Sequence, residues 1–350
     1  LGSINIPNHL DAEGNLDKEK LEKNVTTAIR MLDNVIDINY YAVPQAENSN
    51  FKHRPIGMGI MGFQDALYIK KIPYASEAAV DFADESMELV SYMAINASSD
   101  LAKERGSYSS YEGSLWSQGV LPLDSIEILE KQRGKDYIEV DKTTRLDWDA
   151  LREKVKTQGM RNSNTMAIAP TATIANITGL TQSIEPTYSN LFVKSNLSGE
   201  FTVINMHLVD ALKEIDMWDE VMVYDLKNLN GSLESIARVP EDIKKLFATS
   251  FEVEPKWLIE AASRRQKWID QSQSLNLYVS EPNGKKLDVM YRMAWLRGLK
   301  TTYYLRSRSA TTTEKSTITN MELNAVKTEP KTYDQPEACS IDDPDCEACQ

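Results

Sequence analysis

No cysteine occurs before residue 339 in this chain of 350 residues. The three that exist, Cys339, Cys346 and Cys349, all lie in the last 12 residues. The body is therefore no disulfide scaffold, and it cannot supply thiol chemistry of its own. Long apolar runs are missing too, with no uninterrupted stretch of the roughly 18 residues that a membrane span needs. The opening LGSINIPNHL has neither a basic segment nor a long apolar one, so no signal peptide is visible. Positive charge is in deficit: 39 Lys and Arg stand against 52 Asp and Glu, a net charge of −13. Long-range fields then oppose nonspecific binding to nucleic acid or anionic membranes, while a local basic site can still hold an anion. Histidine is scarce, and His9, His53 and His207 are far apart. No Glu-x-x-His pair occurs, so the usual di-iron carboxylate ligands are missing.

What is present reads as a globular α/β chain with helices in excess. Hydrophobic residues make up 41% and charged residues 26%, which rules out wholesale disorder. Helical periodicity predicts helices over Asp17–Ile38, Ser76–Lys103, Ser125–Arg133 and Trp148–Gln158. Further helices are expected near Val209–Ile215, Pro240–Thr249 and Glu254–Asp270. Pro44–Pro55 reads as a polar loop, and 107–145 as irregular apart from its one short helix. Met166–Ala169 is a short apolar run with the character of a buried strand. Near the end, strand-like Ser274–Val279, a turn at Glu281–Gly284, helix Leu287–Leu299 and strand-like Thr302–Arg306 imply a parallel crossover unit. Residues 309–350 hold nine acidic and three basic residues with few scattered apolar groups, and are expected to form a mobile acidic tail after a body of 1–308. Leu rather than Met at position 1 is compatible with a fragment, a processed product or one piece of a divided protein.

Four motifs invite chemistry. Gly57-Met58-Gly59-Ile60-Met61-Gly62 fits a dinucleotide fingerprint, with Asp81 19 positions after Gly62. That fingerprint requires a preceding strand, and the polar, proline-ended Asn50–Pro55 does not read as one. The plainer reading is a closely packed loop entering a helix at Phe63–Tyr68. Pro170-Thr171-Ala172-Thr173-Ile174-Ala175-Asn176 follows the buried Met166–Ala169 run. A hydroxyl-rich turn opening a helix can cradle an anion, or Thr171 or Thr173 can simply cap the helix. Tyr303-Tyr304 sits on the last expected strand, where alternation would leave one buried and one interfacial ring. Cys346-Glu347-Ala348-Cys349 suits a reversible disulfide or is incidental; three cysteines and no histidine fall short of a four-ligand zinc site. Forty residues separate Ser309 from Cys349, a flexible reach of roughly 35 Å that would hold a dithiol near the body at roughly millimolar effective concentration.

Taken in order, the chain carries Arg54-Pro55-Ile56-Gly57, Arg161-Asn162-Ser163, Ala169-Pro170-Thr171-Ala172-Thr173, Ser183-Ile184-Glu185-Pro186, Leu197-Ser198-Gly199-Glu200-Phe201, Asp270-Gln271-Ser272-Gln273-Ser274-Leu275-Asn276, Gly298-Leu299-Lys300-Thr301, Tyr303-Tyr304-Leu305-Arg306 and Cys346/Cys349. These residues resemble the C-terminal portion of the large, catalytic subunit of class I ribonucleotide reductase. The resemblance implies the second half of a ten-stranded α/β barrel. It implies that Pro170, Thr171, Ala172, Thr173 and Ile174 bind the substrate diphosphate. Tyr303 and Tyr304 would relay a radical from a small subunit that holds the metal-radical cofactor, each moving an electron and a proton together. Cys346 and Cys349 would re-reduce an active-site disulfide and be recharged by thioredoxin or glutaredoxin. Cys339 matches no role.

The family's radical-bearing cysteine, its neighbouring Asn and Glu, and both active-site disulfide cysteines fall upstream of the matched segment, as do the nucleotide-effector sites. The expectation is a C-terminal piece that binds no cofactor itself and shares one active site with an N-terminal piece. Its substrate would be a ribonucleoside diphosphate, with neither nucleic acid nor membrane as partner. A noncatalytic assembly or regulatory subunit is the alternative. A free C-x-x-C, which needs reducing partners, together with no visible export signal, leads to the expectation of a cytoplasmic location.

Overall fold

The computed structural model describes residues 1–196 and 199–308. Its organising feature is a set of parallel backbone segments that neighbour one another in chain order. Strand β1 (Gly2–Asn5) pairs in parallel with β2 (Met58–Met61), from Gly2 opposite Met58 to Asn5 opposite Met61. Parallel bridges join Met58 to Met166 and Ile168 to Gln273. Bonds from Met58 N–H to Thr165 O (2.7 Å) and from Ser274 N–H to Ile168 O (2.9 Å) carry the ladder across. It ends in a parallel pair, with Leu277 opposite Leu305 and Val279 opposite Ser307. Parallel neighbours need long crossovers, and helices supply them.

Helix α1 (Lys18–Ile38) follows β1, and its buried stripe is Leu21, Val25, Ile29 and Ile36. Asp17 caps it by accepting from Lys20 N–H at 3.0 Å. After α2 (Pro44–His53) and α3 (Phe63–Ile69) comes α4 (Glu77–Arg105), capped by Ser76. Most of α4 is buried on all sides, because it packs against α1, against α6 (Trp148–Gln158) and against α11 (Pro255–Gln266). Between them lie α5 (Ser125–Arg133), α7 (Ala172–Thr178), α8 (Met206–Glu214), α9 (Glu220–Asn228) and α10 (Glu241–Leu246). The antiparallel pair β3 (Leu191–Asn196) and β4 (Gly199–Ile204) precedes α8. β5 (Leu277–Val279), α12 (Gly284–Leu296) and β6 (Leu305–Ser307) form the expected strand–helix–strand unit, and its strands are parallel.

Two apolar clusters hold these elements. The larger joins Met58, Ile60, Phe63, Met87, Val90, Met166, Ile168, Trp268 and Leu277 beneath the ladder. The smaller gathers Leu208, Leu212, Met222, Leu226, Ile236 and Phe247 from α8 to α10. Among the described residues no helix is long and apolar enough to cross a membrane.

Two sequence expectations are corrected here. Pro44–Pro55 is not a loop: α2 occupies Pro44–His53. Pro44 suits the first helical turn, and the helix stops at Arg54, whose φ is +48°. None of its residues is buried, so there was no apolar stripe to read. The glycine motif is not a packed loop either. Met58–Met61 is a fully buried strand, and a Cβ on Gly59 would lie 2.4 Å from the carbonyl oxygen of Ala167. Gly59 lets neighbouring backbone approach, and the motif's amides serve the ladder rather than a phosphate turn.

Candidate functional site

The third ladder segment, through Met166 and Ile168, delivers the chain to Pro170. Thr171 then adopts the left-handed conformation (φ +49°) and precedes α7. No side chain caps this helix, so neither Thr171 nor Thr173 acts as an ordinary cap. Thr171 is buried, and its Oγ1 finds no hydrogen-bond partner. Ala172, Thr173 and Ile174 are exposed. By helix geometry their N–H groups have no acceptor within the helix, so the turn offers donors outward. Such a set fits an anionic oxygen group.

The loop is tied down at both ends. Ser183, at φ +65°, donates from Oγ to Pro170 O at 3.0 Å. Buried Asp65 on α3 accepts from Thr181 N–H (3.0 Å) and Thr181 Oγ1 (2.5 Å). His207 Nε2 stands 3.7 Å from the same carboxylate.

Tyr303 and Tyr304 do not split between faces. Both are about half exposed, at 47% and 52%, and their ring centroids lie 4.2 Å apart at 52°. The expected alternation fails because two consecutive N–H groups turn the same way. Tyr303 N–H donates to Leu275 O at 2.7 Å, and Tyr304 N–H donates to Asn276 Oδ1 at 3.3 Å. A regular strand points successive N–H groups to opposite sides, so the backbone is locally irregular just before β6. The neighbouring Tyr304 phenol pushes the Tyr303 pKa above its ordinary value. The Arg306 guanidinium lies 5.1 Å from the Tyr304 ring centroid.

Between the loop and the tyrosines lies a buried group that the residue-by-residue reading passed over. Glu185 accepts from Asn276 N–H (2.8 Å) and Asn276 Nδ2 (3.1 Å). Burial pushes its pKa up to about 7, against the opposing pull of Asn276 and the Arg265 charge. Arg265 is fully buried, bonds Gln273 Oε1 through Nε at 3.3 Å and sits over the Phe63 ring. Burial also pushes the Tyr74 phenol up to about 12, and its hydroxyl donates to Ile184 O. The only signal for Glu185 was its place in the Ser183-Ile184-Glu185-Pro186 motif, amid mostly polar neighbours, and sequence alone does not show that Asn276 faces it. Cys339, Cys346, Cys349 and the expected acidic tail lie outside the described residues.

A chain-ordered parallel ladder with helical crossovers, a hydroxyl-rich turn after its central segment and a tyrosine pair at its last, marks a parallel α/β protein. The family described as ribonucleotide reductase, barrel domain, matches residues 1–305, and the chain belongs to that family. Among curated proteins, the ribonucleoside-diphosphate reductase subunit alpha of Chlamydia muridarum is 59% identical over 318 residues, covering 91% of this chain and 30% of its own length. That of Chlamydia trachomatis serovar D is 54% identical over 364 aligned residues, covering the whole chain and 34% of its own length. The ribonucleoside-diphosphate reductase large subunit of Danio rerio is 38% identical, with 92% of this chain and 39% of its own length covered. The chain thus spans about a third of the length of the curated relatives it matches.

Proposed function

We propose that this chain is the C-terminal part of a ribonucleoside-diphosphate reductase large subunit and contributes half of a ten-stranded barrel. In that role the turn Pro170–Ile174 holds the substrate diphosphate through outward N–H groups and hydroxyls. Tyr303 and Tyr304 pass a radical inward from a small, metal-containing subunit. Each step moves one electron together with the phenolic proton, because an oxidised phenol that kept its proton would be strongly acidic. The proximity of the two rings, 4.2 Å between centroids, is the observation that supports this reading most.

The thiol that abstracts hydrogen comes from an N-terminal portion, since no cysteine precedes residue 339 here. Nucleotide effectors act on that portion too. Each turnover replaces the 2′-hydroxyl of the ribonucleotide by hydrogen and oxidises two thiols to a disulfide. Cys346 and Cys349 return two electrons and two protons by thiol–disulfide exchange and become a disulfide themselves. Thioredoxin or glutaredoxin then reduces the tail, which places the protein in a reducing compartment such as the cytoplasm.

Tyr304→Phe tests the relay in the assembled reductase. The expected outcome is loss of deoxynucleotide formation, with nucleotide binding retained. Full turnover by that variant would favour an assembly or regulatory role instead.

A further inference from the structure

We propose that Glu185 and Asn276 form a polar clamp that sets the geometry of the tyrosine pair, with Glu185 as the positioning residue. The inference rests on the relay reading above. Its basis is a contiguous set of bonds. Glu185 Oε1 takes the Asn276 N–H at 2.8 Å, and Oε2 takes Asn276 Nδ2 at 3.1 Å. Both residues are almost wholly buried, at 1% and 4% exposure. An asparagine side chain carries one donor end and one acceptor end. Because both Glu185 oxygens accept from Asn276, the Asn276 amide is fixed with Nδ2 toward Glu185 and Oδ1 toward Tyr304. That oxygen then accepts the Tyr304 N–H at 3.3 Å. This second capture, beside the Tyr303 N–H bond to Leu275, turns two successive N–H groups to one side. The irregularity brings both phenols to the same exposed edge instead of opposite faces.

The other end of the same segment reaches the phosphate turn. Ser183, two residues before Glu185, donates to Pro170 O. The stretch Ser183–Glu185 thus runs from the Pro170–Ile174 turn to the tyrosine pair, each end holding its own contacts.

The amide logic gives a sharp test in the assembled reductase. Glu185→Gln places an NH₂ where Oε2 now accepts. Either two donors face each other, or the Asn276 amide flips and presents NH₂ to the Tyr304 N–H. The flip takes the acceptor away from Tyr304, and two facing donors push the Asn276 side chain out of its place beside it. The expected outcome is a fall in kcat of about tenfold or more, the scale on which misplaced reacting groups act. KM for the ribonucleoside diphosphate should stay within about twofold, since the diphosphate turn keeps its own contacts. The double variant Glu185→Gln/Asn276→Asp supplies one acceptor for the introduced side-chain amide and one for the Tyr304 N–H, and should recover most of the lost kcat. Asn276→Ala, which deletes only the side-chain acceptor, should resemble the single Glu185→Gln variant.

A wild-type kcat in either folded single variant, or no recovery in the double variant, overturns the clamp. If both single variants fail to fold, the pair serves the core alone and the proposal falls. Tyr304→Phe separates the two levels. Full activity there defeats the relay itself, whereas an inactive Tyr304→Phe beside a fully active Glu185→Gln defeats only the clamp.

Discussion

At the scale of the residue, single atoms decide conformations that composition does not reveal. Gly59 is one case. Its missing Cβ would sit 2.4 Å from Ala167 O, a backbone atom that cannot swing away. Gly59→Ala should therefore cost about 2 kcal/mol or more, read as a lower denaturation midpoint with unchanged slope. Glu185 is another. Its pKa is held near 7 in the fold against an ordinary 4.5, so the folded state binds the proton more tightly than the unfolded chain. Stability should then decline as pH rises from about 4.5 to 7, by an amount on the order of 3 kcal/mol. Glu185→Gln should flatten that decline in urea titrations at several pH values; an unchanged slope would mean the carboxyl is not the titrating group. The tyrosines show where residue-level reading stops. Their types and adjacency were legible, but alternation predicted opposite faces, because the acceptor that breaks it is a side chain supplied from 28 positions earlier by Asn276.

At the scale of the element, legibility followed burial pattern. Helices α1, α4, α6 and α12 announced themselves by an apolar stripe or by an Asp, Ser or Asn cap. Helix α2 buries nothing, and the β3–β4 pair presents exposed faces along β4, so neither carried a usable period. Polar ties between elements were equally silent. Buried Asp33 on α1 accepts from Arg54 Nε (2.8 Å), Arg105 Nη1 (3.1 Å), Arg161 Nε (3.2 Å) and Asn162 Nδ2 (3.2 Å). One carboxylate thereby fastens the end of α2, the end of α4 and the approach to the third ladder segment. Asp33→Ala leaves buried Arg54 with Asp37 as its only carboxylate partner, beside its bond to the residue 33 carbonyl, and should cost about 3 kcal/mol in thermal or chemical unfolding. A loss below about 0.5 kcal/mol would place the tie among surface pairs of little weight.

At the scale of the whole molecule, labour is divided along the chain. The ladder carries the Pro170–Ile174 turn, proposed to hold the diphosphate, after its central segment and the tyrosines at its last member, while Cys346 and Cys349 lie near the C-terminal end of the sequence. Replacing Cys346 and Cys349 together by Ser should stop turnover driven by thioredoxin or glutaredoxin, yet leave turnover driven by a small permeant dithiol largely intact. Equal loss with both reductants would assign the tail some other task. The most direct measurement is deoxynucleotide formation from a ribonucleoside diphosphate by this chain, first alone and then combined with the N-terminal portion and the small subunit. The account predicts none from the chain alone, turnover in the full mixture, and its disappearance with Tyr304→Phe. Product from the isolated chain, or an active mixture lacking the Tyr304 hydroxyl, would contradict it.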